Sequence, residues 1–409
     1  MNKLKIAFSL AFKSIIKGNR WAALMIVVLM ALSFANLILT PSIMSGVTKS
    51  LDTQQINTIF GNIIIAPQQG NTYLDNIDQI EQKLAQYPGV TGVAPHLADS
   101  ALIEYQMAQS GMAASGSWSV TGIDPVKESS VTTISKSLIA GSYLSPTDTD
   151  AILLGVEIAG GLQAQNAPFL TLGGVQVGDT VRLTYSNGIQ KEYVVKGVFQ
   201  AKDVQADSQA FVTQDEMASV LGGASFASRA SQILVRIDDD SRENQFIAAF
   251  KTLGIAGEVR SWRDYGSGVG GVVSSFNVVA SLIGGIGLVV AGIVMFVVIY
   301  INAVHKKRQI GILRAIGIKN GTILISFVAQ ALLYATLGII LGGLVFGLGI
   351  QPYFAAHPID LSIGSVSLAV SATTIRDAVI GILLAAVLAG IIPVVSITRQ
   401  NIIKAIWGN

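Results

Sequence analysis

The chain has 409 residues, of which 51% are hydrophobic and 13% charged, with a net charge of +2 and no cysteine. Soluble domains carry roughly a quarter of charged residues, so this composition excludes an ordinary soluble protein, and the near-neutral charge gives no reason to expect nucleic-acid binding. Without cysteine, disulfides, thiolate metal sites and cysteine lipidation are excluded.

Taken in chain order, Met1–Arg20 holds Lys3, Lys5, Lys13, Lys17 and Arg20 and no acidic residue. Four charge-free stretches follow, at about Trp21–Ile43, Val278–Ile301, Ile323–Ile350 and Ala378–Ile397. Each is long enough to cross the roughly 30 Å hydrocarbon core of a bilayer. The first exceeds the roughly 7–15 apolar residues of a signal-peptide core and runs into Thr40-Pro41, so it reads as an uncleaved anchor; a cleaved leader is the alternative.

Ser45–Val272 carries fourteen Lys/Arg against twenty-three Asp/Glu. The N-terminal segment, the loop His305–Asn320 and the tail with Arg399 and Lys404 together hold twelve basic and no acidic residues. Lys/Arg bias in short loops sets topology. The basic segments, both termini among them, are therefore expected in the cytoplasm and residues 45–272 outside, in a multi-pass protein of the cell (inner) membrane.

Two similar stretches bracket this outer region. The first is a strand at Gly61–Ala66, a helix at Leu74–Gln86 with Ile77, Ile80 and Leu84 at helical spacing, and extended Val90–Gln106. The second is a strand at Gln232–Ile237, a helix at about Ser241–Leu253 and a short strand at Ile255–Arg260. Each reads as a βαβ unit, and the pair as one split α/β subdomain over about 57–106 and 230–262, although βαβ pieces are common. Between them, about 107–229, lies a β-rich insert. Ser117–Ile123 and Ala151–Leu154 read as strands, and Thr180–Tyr185 and Ile189–Phe199 flank an Asn187-Gly188 turn. Ser110–Ser119, rich in Gly, Ala and Ser, reads as a flexible loop. The expected fold class is an α+β membrane protein: four transmembrane helices, with a large extracytoplasmic domain between the first and second.

Apolar stripes flank that domain. Met44, Val47 and Leu51 follow the first span, and Val269, Val272 and Phe276 precede the second, so the two can pack as a stalk. Gly266, Gly268, Gly270 and Gly271 weaken helix formation there, which leaves a loop as the alternative.

Catalytic and metal constellations are missing. There is no GxxxxGK[ST] loop and no HExxH. The nearest approach to GxSxG is Gly223–Ala227, which lacks the closing glycine. His96, His305 and His357 are scattered, and His96 reads as a surface residue beside a turn. The four spans contain no ionisable residue, which argues against a proton-coupled carrier or an ion channel. Gly338-xxx-Gly342, Gly343-xxx-Gly347 and Gly381-xxx-Ala385-xxx-Ala389 permit close helix approach, within the chain or across a dimer seam. Asn36 and Asn277 are mild polar candidates for a substrate path or interhelical hydrogen bonds.

The loop between the second and third spans is the strongest candidate for partner contact. A short helix over Gln309–Ile318 puts Ile312, Ala315 and Ile316 near one face with Leu313 beside them. Lys306, Lys307, Arg308 and Arg314 then form a charged rim, with Ile310, Gly311 and Gly317 completing the motif.

One span, a large outer domain, three spans and the string IGILRAIG at Ile310–Gly317 resemble the permease family of ABC transporters that includes MacB-type exporters, lipoprotein-releasing permeases and FtsX. The N-terminal helix Ala7–Gly18, with Phe8, Ala11, Phe12 and Ile15 on one face, is similar to the family's membrane-surface helix. The tail Pro393–Trp407 matches in the same way. The strings Pro88-Gly89-Val90, Val120–Pro125, Ala140-Gly141, Ile152–Gly155, Val177–Asp179 and Val195–Phe199 occur in the order shown by the lipoprotein-releasing (LolC/LolE-like) branch. One departure is that His305 and Gln309 stand where the family usually has acidic residues.

The resemblance implies a permease that is not itself an enzyme and binds no cofactor. It would be joined to a cytoplasmic ABC ATPase dimer that binds ATP and Mg, and to a second permease, either a second copy or a paralogue. It also implies contact with membrane lipid, an extracytoplasmic adaptor, and export or extraction of an amphipathic substrate such as a lipoprotein, a lipid or a hydrophobic small molecule. A regulatory permease that activates an extracytoplasmic enzyme, such as a cell-wall hydrolase, is the alternative.

Overall fold

The computed structural model describes residues 20–106, 113–161, 170–265, 267–361 and 364–398. Helix α1 (Arg20–Gln55) ends in a π-helical turn at Ile56–Phe60. There follow β1 (Ile63–Ala66), α2 (Ile77–Ala85), β2 (Val90–Gln106), β3 (Ala113–Ile123), α3 (Pro125–Val131), β4 (Leu138–Gly141) and β5 (Ala151–Gly155). Next come β6 (Thr180–Tyr185), β7 (Gln190–Phe199), β8 (Gln209–Thr213), α4 (Gln214–Leu221), β9 (Gln232–Ile237), α5 (Glu243–Thr252) and β10 (Glu258–Ser261). The chain continues through α6 (Ser267–His305), α7 (Lys307–Ala315), α8 (Asn320–Val345) and α9 (Ala372–Thr398). Two units result: an outer one over Ser50–Gly270 and a membrane one from the helices before and after it.

In the outer unit ten strands form one sheet in the order β10-β1-β9-β2-β3-β8-β5-β7-β4, with β6 bridging β2 and β7. The first four strands are the split α/β part. β9 runs antiparallel between β1 and β2, and β1 runs antiparallel between β9 and β10. Each βαβ half therefore leaves a gap between its own strands that a strand of the other half fills. β1 is buried along its whole length because both of its faces are covered. Ile63 and Ile65 pack with Ile77, Ile80 and Leu84 of α2 and with Phe246 and Phe250 of α5. Ile64 points the other way, toward Ala94, Leu234 and Trp262, as the two-residue repeat of a strand requires. Each such side chain contributes about 1.5–3 kcal/mol by leaving water.

The remaining strands close on themselves. β2 pairs β3, β3 pairs β8, β8 pairs β5, β5 pairs β7, β7 pairs β6, and β6 returns to β2. The interior of this six-stranded barrel takes alternate residues, among them Ala101 and Ile103, Val181, Leu183 and Tyr185, and Tyr193 and Val195. Closure leaves few free strand edges.

Two sequence readings are corrected here. Ala113–Ser119 is not a loop: β3 pairs residue by residue with β2 from Ala113↔Gln106 to Ile123↔His96. Its alternation is real but carried by small residues, with Ser115, Ser117 and Ser119 exposed and Gly116 and Val120 buried. The border expected at residue 107 does not follow the strands either, since β2 pairs β9 through its first half and β6 through its second. One strand serves both parts.

In the membrane unit, four helices among the described residues are long and apolar enough to cross a bilayer. α1 buries Ile26, Met30, Phe34 and Ile38 at four-residue spacing, while Trp21, Leu24, Met25 and Leu32 on its other faces are exposed. Apolar residues all round are the mark of a helix immersed in lipid. Gly338 and Gly342 of α8 meet this stripe: a Cβ at Gly338 would lie 2.4 Å from Met30 Cβ, and one at Gly342 would lie 2.6 Å from the Ala31 carbonyl oxygen. This GxxxG therefore packs within the chain. Gly390 of α9 is seated in the same way against Val328 and Ala331.

Candidate coupling surfaces

α7 follows α6 after a single residue, so the second span and the basic helix are nearly continuous. Its first backbone bond runs from Ile310 N–H to the Lys306 carbonyl at 2.8 Å. It ends at Gly317, whose φ of 93° is open to glycine at little cost, and whose N–H donates to the Arg314 carbonyl at 3.1 Å. A left-handed glycine stops the helix, and Lys319, in extended conformation, opens α8.

The helix lies slightly earlier than the expected Gln309–Ile318. Its faces are also more sharply divided than the periodicity indicates. Ile310 is 3% exposed and joins the membrane core, and Gly311 is buried beside it. These two hold the helix to its own bundle rather than offering it to a partner. Ile312 is 46% and Ile316 70% exposed; four residues apart, they share one face. Arg308, Ala315 and Gly317 are exposed, and Lys306, Lys307 and Arg314 half-buried. The Leu313 side chain lies outside the described residues.

Of the stalk residues, Val47 is buried at 7% exposure, and Met44 and Leu51 are half-buried along α1. Val269, Val272 and Phe276 fall within α6, which is helical from Ser267 despite its glycines, but their side chains lie outside the described residues. So do the N-terminal surface helix and the basic tail.

A polar junction at the end of α1 has only a faint sequence signal, the run Asp52–Gln55 that ends the apolar stripe. Gln54 Nε2 donates to the Ala201 carbonyl at 2.8 Å and also to that of Lys202. Gln55 Nε2 donates to Asp203 Oδ2 at 2.5 Å. Arg263 bonds Asp52 at 3.2 Å and Glu243 at 3.0 Å. The last turn of the first long helix is thus fixed both to the turn after barrel strand β7 and to the segment that leads into α6.

His96 gives no sequence signal of its role, and its expected surface position is corrected. It is 4% exposed in β2 and lies 2.6 Å, Nε2 to Oε2, from Glu128 of α3, itself 1% exposed. Thr132 donates to the other Glu128 oxygen at 2.7 Å. This pair ties α3 to the strand shared by both parts of the outer unit. A second buried network links Tyr185 O–H to Tyr193 and Tyr193 O–H to Glu216 at 2.8 and 2.9 Å inside the barrel. Burial raises both phenols well above their ordinary value, so they stay neutral donors. Among the described residues no cluster of three His, Asp or Glu could hold a metal.

A four-span bundle interrupted after its first helix by an α/β-plus-barrel domain defines an ABC-type permease architecture when set beside known proteins. The MacB-like periplasmic core domain family matches residues 23–253, and the FtsX-like permease C-terminal family matches residues 281–402. The chain belongs to the MacB/FtsX family of ABC-type permeases.

Two solved structures are similar. One is the periplasmic region of MacB from Actinobacillus actinomycetemcomitans, at 14% identity and a TM-score of 0.34, covering 54% of this chain and 97% of that one. The other is the extracellular domain of the noncanonic ABC-type transporter YknZ from Gram-positive bacteria, at 13% identity and 0.31, covering 49% and 97%. No curated protein matches the chain in sequence.

Proposed function

We propose that this chain is the permease subunit of an ABC transporter in the cell membrane, with both termini in the cytoplasm. ATP hydrolysis by a cytoplasmic ATPase dimer is coupled through it to motion of the outer domain. That motion expels or extracts an amphipathic substrate, such as a lipoprotein, a lipid or a hydrophobic small molecule. The working complex contains a second permease.

The observation that carries this reading is helix α6. Its 39 residues span about 58 Å at roughly 1.5 Å per residue, far beyond the roughly 30 Å of hydrocarbon. One end receives the chain from the outer domain, and the other passes directly into α7 with Ile312 and Ile316 exposed. A rigid rod ending in an apolar pair with a basic rim is suited to being gripped and moved.

The test is co-purification of the ATPase in mild detergent. Ile316→Asp puts a charge into the apolar contact and is expected to reduce ATPase retention at least ten-fold, with insertion unchanged. Ile312→Asp is expected to act likewise. Full retention in both variants contradicts the reading.

A further inference from the structure

Two cavities meet between α6 and α9. The upper one, about 440 Å³, is closed on its third side by Pro41 and Met44 of α1, and Ser45, Ser281, Thr374 and Asp377 give it a polar wall. It lies at the end of the bundle from which α1 leaves for the outer domain. The lower one, about 420 Å³, has no charged or hydrogen-bonding side chain in its lining; Leu288, Ile293, Phe296, Leu384, Leu388 and Ile392 are its main walls. Leu288 and Gly381 line both, so one groove changes from polar to apolar at their level.

Dimensions and charge limit what can lie there. Each cavity falls within the roughly 300–1,000 Å³ of small-molecule sites. From Gly381 to Ile392 the apolar part runs about 16 Å at roughly 1.5 Å per residue, about half of the roughly 30 Å hydrocarbon thickness. That length suits an acyl tail of one leaflet, and the polar part above it, from Thr374 to Gly381, leaves room for a headgroup.

Asp377 of the polar wall is paired with Arg376, whose Nε and a terminal guanidinium nitrogen lie 3.0 and 2.9 Å from Asp377 Oδ1, with both side chains 65% exposed. So exposed a pair is worth little by itself, and it presents both signs side by side. A headgroup with one phosphate and one ammonium satisfies both. An anionic headgroup with no ammonium would pair with Arg376 but leave Asp377 beside its phosphate with no cation of the ligand's own.

We propose that this groove holds one outer-leaflet phospholipid with an ethanolamine headgroup, its phosphate toward Arg376, its ammonium toward Asp377 and an acyl tail in the slot below. The site belongs to the single chain and does not depend on an ATPase partner.

The experiment uses the full chain in nanodiscs of equimolar phosphatidylethanolamine and phosphatidylglycerol, extracted into mild detergent and weighed by native mass spectrometry. One retained ethanolamine lipid per chain is expected. Gly292→Leu places a side chain in the slot and improves helix propensity; it is expected to cut retention at least five-fold. Asp377→Asn, on the exposed mouth, is expected to abolish the preference for ethanolamine over glycerol while the protein remains folded.

Retention unchanged by Gly292→Leu means annular lipid only and overturns the proposal. An unchanged headgroup preference in Asp377→Asn overturns the headgroup assignment, even if the slot variant fails to fold. Ready disulfide dimers through Ala385→Cys, in a chain with no other cysteine, show a second copy in the slot and also overturn it.

Discussion

His96 and Glu128 form a contact that sequence pattern does not reveal, because a lone histidine in a strand and a glutamate thirty-two residues later share no periodicity. Only the turn of the chain through α3 brings them within 2.6 Å. Removing His96 leaves the buried Glu128 with Thr132 alone, and removing Glu128 leaves His96 without solvent or its carboxylate partner, each at a cost of about 1–3 kcal/mol. Glu128→Leu and His96→Leu are each expected to lower the unfolding midpoint of the outer domain markedly. The double variant should lose less than the sum, which a double-mutant cycle measures; strict additivity would show that the two do not interact. Another buried carboxyl of the outer domain, Asp207 of the turn after β7, gives a pH signature. Burial pushes Asp207 up from 3.8 to about 6, opposed by the Ala201 N–H that it accepts and reinforced by Asp203 and Glu157. A group that holds its proton more tightly when folded stabilises at low pH, and that stability is lost as pH rises from its unfolded value to its folded one. Stability should therefore fall between about pH 4 and pH 6 and level off above. Asp207→Asn should flatten that window and raise the melting temperature at neutral pH. An unchanged pH profile in this variant would assign the dependence to another group.

At the scale of elements, periodicity worked where hydrophobicity carries it. Ile77, Ile80 and Leu84 lie on the buried face of α2; a strand forms at Gln232–Ile237 as expected, and the last one forms at Glu258–Ser261, later than the expected Ile255–Arg260. It failed where small residues stand in for large ones. In β3 the inward positions include Gly116 and the outward ones are serines, so the strand reads as a loop until its pairing with β2 and β8 is seen. Pairing of this kind joins segments far apart in sequence, and no local pattern encodes it. For helix packing the glycines of α8 were legible as close-approach positions, but not which helix they approach. That helix is α1, with Met30 and Ala31 against Gly338 and Gly342. Gly338→Leu would force a branched side chain into backbone contact and is expected to cost about 1–3 kcal/mol by overpacking, seen as a lower melting temperature of the detergent-solubilised chain. Gly347→Leu, with nothing within 4 Å of its Cβ position, is the matched control and should be neutral. Equal effects at both positions would show that α1 does not pack there.

For the whole molecule, charge and hydropathy together made the four spans and the large domain after the first one readable. Closure of the barrel and the sharing of β2 were not readable, since they depend on parallel pairings such as β3 with β8 and β5 with β7. Helix α7 was readable as a basic apolar motif. Its division into a buried anchor at Ile310 and an exposed pair at Ile312 and Ile316 was not, because all three are isoleucines and only packing distinguishes them. What joins these scales is sidedness, which the same charge split predicts. Lys/Arg outnumber Asp/Glu in every short segment expected in the cytoplasm and are outnumbered in the large domain, and the cost of translocating short basic loops predicts that arrangement. The chain lacks cysteine, so a single introduced thiol reports one position. Asp215, exposed in α4, and Lys319, exposed just before α8, sit in segments expected on opposite sides. In intact cells Asp215→Cys should react with a membrane-impermeant maleimide, and Lys319→Cys should react only after permeabilisation. If both thiols react from the same side, the separation between an outer moving domain and an inner gripped helix fails, and with it the lever-like coupling proposed for α6.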